Sequence, residues 1–457
     1  MAAAAAAAAA TATGVVILLF HRDLRIVDHN ALREAAAAAA KRGVPVLPLF
    51  IFTPDQATEK NPLRSTHSVQ FMIESLKDLQ AAIAKDGGKL VFAYGDTEAV
   101  LRSLHRRVGL CAIYETADYT PYAVRREATL AALAGDLKTA GGDPVEYVAV
   151  HDSYLLAPGT IKNAAGKTFQ KFTPFYETAR RRAIPEPVRG GTRVPWWKGR
   201  AGVHSAVSAA ASRRVTRRVA RLPGEVRLEA MMRRLVPTPN AALAVHGGRT
   251  EGLKLLADLP RDYAKIHDVP AERTSMLSAH NHYGTVSIRE VHARGTTLGL
   301  TEFVRQLWWR DFYGNIMADF ETLYGVGAYE FQAKAPEQSG RAKKAFADWC
   351  AARTGVPLVD AGMRELLTTG YMHNRVRLVV ASWLTKDMGV HWRLGERFFA
   401  KHLVDYDPAQ NMMNWIWVAS KLPFASAPFR RVDAYTTAKR FDPEGTYVAK
   451  WGGGSGR

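Results

Sequence analysis

The first third of the chain alternates short apolar segments with stretches of helical periodicity, and this alternation restricts the possible folds most strongly. The apolar segments are rich in Val, Ile, Leu and Phe, which is typical of strands buried on both faces. Strands separated by helices of this length form βαβ units and a parallel sheet. The predicted strands are 15–20, 46–51, 89–93, 111–114 and 145–150, and the helices between them include 30–41, 67–85 and 98–108.

We therefore expect a Rossmann-like α/β domain over residues 15–156, preceded by a disordered Ala-rich tail, residues 1–14. The turn after the first strand carries His21-Arg22-Asp23-Leu24-Arg25. A dinucleotide dehydrogenase has Gly-x-Gly-x-x-Gly there, because glycine lets the backbone approach a pyrophosphate closely. The sequence gives no support to such a site. On its own, the charged segment is as typical of a solvent-exposed loop as of any functional site.

The rest of the chain divides into a connector and a helical region. Residues 157–245 are rich in Arg, Pro and Gly and are expected to be irregular, with Pro195-Trp196-Trp197 among them. Helical periodicity with many Trp and Tyr residues then predicts an all-α domain over residues 246–451, followed by a flexible tail, residues 452–457. The predicted helices are 250–257, 298–320, 362–368, 374–387 and 408–420.

The chain is strongly basic. It has 62 Lys and Arg residues against 43 Asp and Glu residues, a formal charge of +19. An excess of this size favours a polyanionic partner, and nucleic acid is the leading candidate. Part of the charge lies in residues 180–234, as Arg pairs and a triplet among Gly, Pro, Ala and Ser. A solvated basic linker is the simpler interpretation of that segment.

Several classes of protein are disfavoured by what the sequence lacks. No apolar run reaches the length of a membrane span, about 18 residues, and the first residues lack the regions of a secretory signal. The two cysteines, Cys111 and Cys350, build no disulfide framework and have no metal-ligand spacing. We expect a soluble, intracellular, DNA-associated protein, nuclear or cytoplasmic according to its source, with no metal.

Polar and tryptophan residues are dense between residues 372 and 417. Each buried carboxylate, guanidinium group or amide needs a partner, so an ordinary core holds few of them. Asp407-Pro408-Ala409-Gln410 is typical of a helix start, with Asp as N-cap and Pro at the first position. Asp407, Asn411 and Trp415 then share one face. They either hold a polar aromatic ligand, or they only cap and pack.

Hydroxyl groups are concentrated in Glu272-Arg273-Thr274-Ser275-Met276-Leu277-Ser278. A diphosphate needs hydroxyl and backbone N–H donors, which a helix start supplies. A Thr-Ser pair is common, so the prediction of a phosphate site depends on its context.

The third candidate segment is a predicted helix on which Gln306, Trp309 and Arg310 share a face. A flat ring can stack on Trp, an amide can read a base edge, and Arg can contact phosphate. The combination suits a nucleobase turned out of its duplex. An amphipathic core helix with a surface Arg is the alternative.

Together these motifs resemble the photolyase/cryptochrome family, over nearly the whole chain from Val15 to Trp451. The resemblance implies a bent FAD in the helical domain, with Arg377 paired to Asp405. It further implies that Asp407 contacts the isoalloxazine edge and that Asn411 faces flavin N5. The implied cofactor-binding residues are Tyr263, Thr274, Ser275, Met276, Leu277, Ser278, Asn374, Arg377, Asp405, Asp407 and Asn411.

The resemblance also assigns an electron route to the flavin. Trp415 is the implied nearest donor and Trp392 the second, and Asn411 completes the implied catalytic set. Alignment with the family places Phe331 where relatives have a distal Trp. Phenylalanine is far harder to oxidise than tryptophan, so we expect slow photoreduction, with a gain on Phe331→Trp.

The DNA- and lesion-binding residues implied by the resemblance are Gln306, Trp309, Arg310, Asn374, Arg375 and Trp417. The chain departs from the family in places. Gln306 stands where cyclobutane-dimer photolyases usually have Glu, and Leu378 where they have Met. Residues 279–284 read Ala-His-Asn-His-Tyr-Gly instead of Pro-aromatic-Leu-basic-aromatic-Gly. Six-four photolyases use Gln at the position of Gln306, as this chain does, but they carry His-His where this chain has His373-Asn374, which favours cyclobutane dimers.

The resemblance thus implies a carbon–carbon lyase in which excited, reduced FAD passes an electron to a flipped-out cyclobutane dimer. The alternatives are a cryptochrome-type photoreceptor, a six-four photolyase and a flavin-free nucleic-acid-binding protein. The amide at Asn411, the positive charge and the short segment after Trp451 disfavour the photoreceptor.

UV-damaged DNA is the expected partner of a monomer with no obligate protein partner. A second, antenna chromophore is possible under the resemblance, but its identity is open. Tyr119-Thr120-Pro121-Tyr122 does not reproduce the Asn-Glu pair that holds a folate in some relatives.

Overall fold

The computed structural model describes residues 14–199, 222–325, 327–328, 336–421 and 430–452. The predictions made for most of the two tails, for the Arg-rich centre of the connector and for Phe331 lie outside these residues.

The α/β domain is built on a five-stranded parallel sheet with the order β3-β2-β1-β4-β5. Each predicted strand is confirmed to within two residues. The first two strands are fully buried because helices cover both faces of the sheet, whereas the edge strand β5 is partly exposed. The strands are β1 Val15–Leu19, β2 Val46–Phe52, β3 Val91–Tyr94, β4 Leu110–Thr116 and β5 Glu146–Val150.

The helices of this domain begin and end at the residues that the sequence favours. The first ends at Gly43, whose φ of 65° lies in the left-handed region, and later helices are capped by Ser65 and Asp96. The three helices predicted here are confirmed. The helices are α1 Asn30–Arg42, α2 Pro54–Ala57, α3 Thr66–Lys85, α4 Thr97–Val108 and α5 Pro121–Asp136.

The connector is more ordered than its composition predicts. Its described residues, 157–199 and 222–245, include the helices α6 Phe172–Ala179 and α7 Leu228–Leu235. Trp196 and Trp197 are buried, and the backbone there hydrogen-bonds to Val46 at the start of β2. Burial of two large indole rings is favourable because it removes their apolar surface from water, and here they pack against the edge of the α/β domain.

The helical domain follows. Its helices are α8 Arg249–Ala257, α9 Tyr263–Ile266, α10 Ser278–Tyr283, α11 Ile288–Thr297, α12 Thr301–Ala318, α13 Phe320–Tyr324, α14 Gly340–Cys350, α15 Pro357–Thr369, α16 Asn374–Ser382, α17 Trp392–His402, α18 Pro408–Ala419, α19 Ala434–Phe441 and α20 Thr446–Trp451. One large apolar cluster joins most of these helices with the end of the α/β domain.

Three predicted helices differ from the structure. The helix predicted at 362–368 begins earlier, at Pro357. The helix predicted at 298–320 begins later, at Thr301, because Gly299 has a left-handed φ of 69°. The helix predicted at 374–387 is α-helical only to Ser382 and continues as a π-helical turn, Trp383–Asp387. The Thr385 hydroxyl donates to Ala381 O at 2.8 Å, and such back-bonding bends helices.

The carboxyl edge of the sheet faces the helical domain. The strand order reverses between β1 and β4, where doubly wound sheets usually bind ligands. Arg22, directly after β1, donates to Asp118 after β4 at 3.0 Å and to Asp407 of the helical domain at 2.6 Å. The charged segment after β1 is therefore a junction between the domains.

No helix among the described residues is both long and apolar enough to cross a membrane.

Candidate functional site

A cavity of about 510 Å³ opens among α9, α10, α12, α16, α17 and α18 of the helical domain. This volume is within the range of cofactor pockets. Most predicted site residues line it, although they come from segments far apart in the chain. They are Tyr263, Thr274, Ser275, Ser278, Gln306, Trp309, Arg310, Asn374, Arg375, Arg377, Asp405, Asp407, Asn411, Trp415 and Trp417.

Three predicted residues are not on this wall. Leu277 and Trp392 are buried in the large apolar cluster of the helical domain. Met276 has a left-handed φ of 53°, an unusual conformation for a residue other than glycine. That turn brings Ser275 and Ser278 to the cavity from either side of Met276 and Leu277.

The ion pair between Arg377 and Asp405 is present. Arg377 Nη2 lies 3.1 and 2.8 Å from the two carboxylate oxygens, and its Nε donates to Met372 O at 2.7 Å. Burial lowers the pKa of Arg377, but the Asp405 carboxylate raises it more, so the net pKa is above its ordinary value. The Arg377 guanidinium therefore stays charged, and the ion pair fixes the start of α16 against the segment before α18.

Asp407 performs more roles than the sequence predicts. One oxygen caps α18 by accepting from Ala409 N at 2.9 Å and from Gln410 N at 3.2 Å. The other accepts from Arg22 at 2.6 Å and from His282 Nδ1 at 3.2 Å. Burial raises the pKa of Asp407, but the nearby Arg22 charge and the His282 bond hold it far below its ordinary value. An ionised carboxylate thus joins three elements at the cavity edge.

Glu396 is a site residue that the sequence reasoning missed. The Asn411 amide donates from Nδ2 to Glu396 Oε1 at 3.0 Å and to Glu396 O at 3.3 Å. Burial raises the pKa of Glu396 to about 7. Nδ2 of Asn411 is thus engaged with Glu396, and the residue also lines the cavity. The only signal in the sequence was the position of Glu396 within a polar, Trp-rich segment.

Trp415 is fully packed beneath the cavity. Gly395 allows this, since a Cβ at that position would lie 2.2 Å from Trp415 Cη2. The indole meets Trp349 and Phe399 nearly at right angles, with ring centroids 6.3 and 5.1 Å away. Trp349 was not singled out from the sequence, because α14 is remote from α18 in the chain. The predicted second donor, Trp392, stacks on His391.

Trp309 forms an aromatic wall with a partner from the connector. Phe172 stacks on it with centroids 3.6 Å apart and planes 5° apart. Trp417, on the same cavity, has the Arg430 guanidinium over its ring at 5.3 Å. Phe172 was also missed, because nothing in an irregular, Arg-rich connector indicated a stacking residue.

The two arginines predicted to contact phosphate are engaged within the protein. Arg310 is buried and donates to Ser153 O at 2.6 Å and to Asn281 O at 3.2 Å. The expected phosphate contact of Arg310 is therefore a poor fit, since its guanidinium joins the two domains. Arg375 makes a two-point contact with Asp268, at 2.5 and 3.2 Å, and it remains partly exposed. DNA phosphate must compete with that carboxylate.

The residues present fit a flavin nucleotide. His373 Nδ1 accepts from Arg375 N, and burial lowers the pKa of His373 to about 4. The neutral ring then carries its proton on Nε2, which is buried without a partner among the described residues, as is Asn281 Oδ1. Both residues line the cavity. A buried donor and a buried acceptor call for a ligand that has both acceptors and donors, as FAD has.

The fold and cavity define a two-domain protein that holds a nucleotide cofactor between helices, beside a parallel α/β domain. Comparison with known proteins gives the family. Residues 16–190 match the DNA photolyase family model, and residues 303–452 match the FAD binding domain of DNA photolyase. The chain is 33% identical to the deoxyribodipyrimidine photo-lyase of Streptomyces griseus over 449 residues, covering 96% of this chain and 89% of that protein. The chain belongs to the DNA photolyase family.

Solved structures agree with this assignment. An archaeal photolyase from Sulfolobus tokodaii, solved with two FAD molecules, is 31% identical with a TM-score of 0.77, over 96% of this chain and 90% of that one. A Synechocystis cryptochrome is 24% identical with a TM-score of 0.78, over 96% of this chain and 88% of that one. The second likeness is evidence of the shared fold alone.

Proposed function

We propose that this protein is a deoxyribodipyrimidine photo-lyase that splits cyclobutane pyrimidine dimers in DNA under blue or near-ultraviolet light. The observation that carries the proposal is a single cavity in which the Asn411 amide, fixed by Glu396, lies beside the aromatic walls Trp309 and Trp417. A cofactor site and a base-sized stacking site therefore share one space. Named relatives of nearly the same length support the same activity.

Bound FAD in its reduced form supplies the light-driven electron transfer that opens the cyclobutane ring. The protein's part is to bind, orient and exclude water. Arg377 and Asp405 hold the cavity wall, and the hydroxyl groups of Thr274, Ser275 and Ser278 are available to a diphosphate. Asn411 carries a neutral amide rather than a carboxylate, which suits a flavin that works in its reduced state.

The lesion is held by stacking and by amides. The flipped-out dimer, two linked pyrimidines of one strand, stacks against Trp309, which Phe172 fixes from behind, and Trp417 supplies a second aromatic surface. Gln306 and Asn374 offer both donors and acceptors to base edges. The formal charge of +19 favours the DNA backbone as partner. Arg375 contacts phosphate only after release from Asp268.

A cyclobutane dimer is favoured over a six-four photoproduct by the state of His373. Its Nδ1 caps α16, and burial lowers its pKa to about 4, so it is neutral at physiological pH and poorly suited to deliver a proton. The neighbouring position carries the amide of Asn374 instead of a second histidine. Ring opening of a cyclobutane dimer requires no general acid at this place.

The deciding experiment irradiates purified protein, with its flavin chemically reduced, in the presence of an oligonucleotide containing one thymine dimer. We expect restored thymines in proportion to absorbed light and none in the dark. A parallel reaction uses an oligonucleotide with a six-four photoproduct. Repair of the six-four lesion alone would contradict the substrate assignment. Absence of repair with both lesions, by protein that retains FAD, would contradict the enzymatic function.

A further inference from the structure

The amide of Asn281 is the feature of the cavity that no role assigned so far explains. Its Oδ1 atom is buried and accepts no hydrogen bond within the described part of the chain, although the residue lines the cavity. A buried acceptor without a donor is destabilising. The family pattern has an apolar Leu at this place, so an amide here is a departure that the fold does not require.

The backbone of Asn281 is held by two hydrogen bonds. Its N–H donates to Leu277 O at 2.8 Å, and its carbonyl accepts from Arg310 at 3.2 Å. Arg310 is buried and also donates to Ser153 O. The backbone of Asn281 is therefore anchored before any ligand is present.

The neighbours of Asn281 indicate which part of a ligand it meets. Ser278, three residues earlier, belongs to the hydroxyl-rich segment available to a diphosphate. His282, the next residue, donates to Asp407 at 3.2 Å, at the end of the cavity assigned to the isoalloxazine edge. All three residues line the cavity. Asn281 thus lies in the chain between the residue offered to the diphosphate and the residue beside Asp407, where the ribityl chain of bound FAD, with its three hydroxyl groups, would run.

We propose that the Asn281 amide oxygen accepts a hydrogen bond from a ribityl hydroxyl of bound FAD. The inference rests on the proposed function, because the orientation of FAD in the cavity comes from it. Asn281 is then a cofactor-binding residue that contacts the ribityl part of FAD. It also explains why an amide replaces an apolar side chain beside a carboxylate and a histidine.

The test compares the purified holoenzyme with Asn281→Leu, which is nearly isosteric and lacks the acceptor. We expect Asn281→Leu to release FAD roughly three- to tenfold faster after dilution, followed as the rise of free-flavin fluorescence, because one hydrogen bond is lost. The visible absorption band of the bound flavin should not move, because the contact is to the ribityl chain. An unchanged release rate, or a shifted band, would overturn the proposal.

The matched control is His280→Asn. His280 is on the same short helix, and its Nε2 is also buried without a partner among the described residues, but it does not line the cavity. Asn at this place keeps an atom near Nδ1 for Thr285, which His280 contacts at 2.7 Å. Its release rate should equal that of the wild type, and equally fast release from both variants would reduce the effect to helix damage and overturn the proposal.

If Asn281→Leu does not accumulate as folded protein, Asn281→Ser provides the same test. Its shorter side chain removes the acceptor from the cavity, so the same faster release is expected, and an unchanged rate would overturn the proposal. Wild-type protein that binds no FAD or repairs no dimer would refute the proposed function instead. Wild-type protein that does both, with unchanged release from the variant, would refute only the role of Asn281.

Discussion

At the scale of single residues, the ion pair of Arg377 with the buried Asp405 should control flavin retention. Removing Asp405 leaves the Arg377 charge, whose side chain is 23% exposed, without its partner, and this exposure keeps the cost below the roughly 3 to 5 kcal/mol of a fully buried pair. Asp405→Ala should therefore purify largely without flavin absorbance. Asp258→Ala, which breaks an exposed pair with Arg273, should keep its flavin. Normal flavin content in Asp405→Ala would contradict the proposed cofactor site.

The carboxyl group of Glu396 gives a prediction about pH. Its pKa is about 7 in the folded protein and about 4.3 in an unfolded chain. The folded state thus binds more protons between these values, and its stability falls as pH rises through that window. The loss attributable to Glu396 is at most about 4 kcal/mol.

Glu396→Gln keeps a neutral group beside Asn411 at every pH. Denaturant unfolding at pH 5 and pH 8 should show that the wild type loses more free energy of unfolding than the variant over this interval. Other buried acids, such as Asp311 with a pKa of about 7, titrate in both proteins and cancel in the comparison. Equal losses would mean that Glu396 is not the protonated group inferred from its burial.

Trp309 should contribute to lesion recognition and little to general DNA affinity. Stacking of a base on an aromatic ring contributes about 1 to 3 kcal/mol, so Trp309→Ala should weaken binding to dimer-containing DNA roughly tenfold or more. Binding to undamaged duplex depends on phosphate contacts and should hardly change. Tyr435→Ala, which removes an exposed ring, is the control in the same mobility-shift titration. Equal losses on both DNAs would place Trp309 outside the lesion pocket.

At the scale of elements, the contact of α18 with α14 leads to a prediction about flavin photoreduction. The indoles of Trp415 and Trp349 meet with centroids 6.3 Å apart, and electron transfer between rings weakens steeply with separation. We predict that Trp349→Phe lowers the yield of light-driven flavin reduction at least as much as Trp392→Phe does. Transient absorption of the two variants measures this. If only Trp392→Phe lowers the photoreduction yield, electrons reach the flavin through Trp392 and Trp415, as the sequence predicts, and not through Trp349.

The elements themselves were largely predictable from sequence. The strands of the parallel sheet are continuous apolar runs, and Asp407-Pro408 marked the start of α18 correctly. The helix ends were less predictable, because a left-handed Gly299 and the Thr385 hydroxyl act through local geometry that periodicity does not record.

The partners of the site residues were the least predictable part. Glu396, Phe172 and Trp349 contact the site from helices that are distant in the chain, and one sequence does not show which distant helices pack together. Arg310 was predicted to contact DNA phosphate because it shares a helix face with Trp309, and an arginine beside a ring that can stack on a base is typical of DNA-binding sites. Its actual acceptors are two backbone carbonyls, which sequence patterns do not identify.

At the scale of the whole molecule, Arg22 couples the α/β domain to the cofactor cavity. It contacts Asp118 in its own domain and Asp407 in the other. Arg22→Met should destabilise the protein by several kcal/mol, because a buried carboxylate loses its main cation, and should speed flavin loss. Arg42→Met breaks an exposed pair with Glu146 and should cost at most about 1 kcal/mol. Thermal unfolding followed by flavin fluorescence compares them, and similar melting temperatures would mean that the domains are not coupled here.

The bond between Arg22 and Asp407 joins residues 385 positions apart. Domains generally fold as units during synthesis, the amino-terminal one first. A ribosome-bound chain can therefore complete the sheet long before Asp407 has been made. Through that interval the Arg22 guanidinium has Asp118 as a partner but lacks its second carboxylate. Flavin capture then becomes one of the last events in the biogenesis of the protein, and a nascent chain arrested before α18 emerges should be folded at its amino end yet colourless.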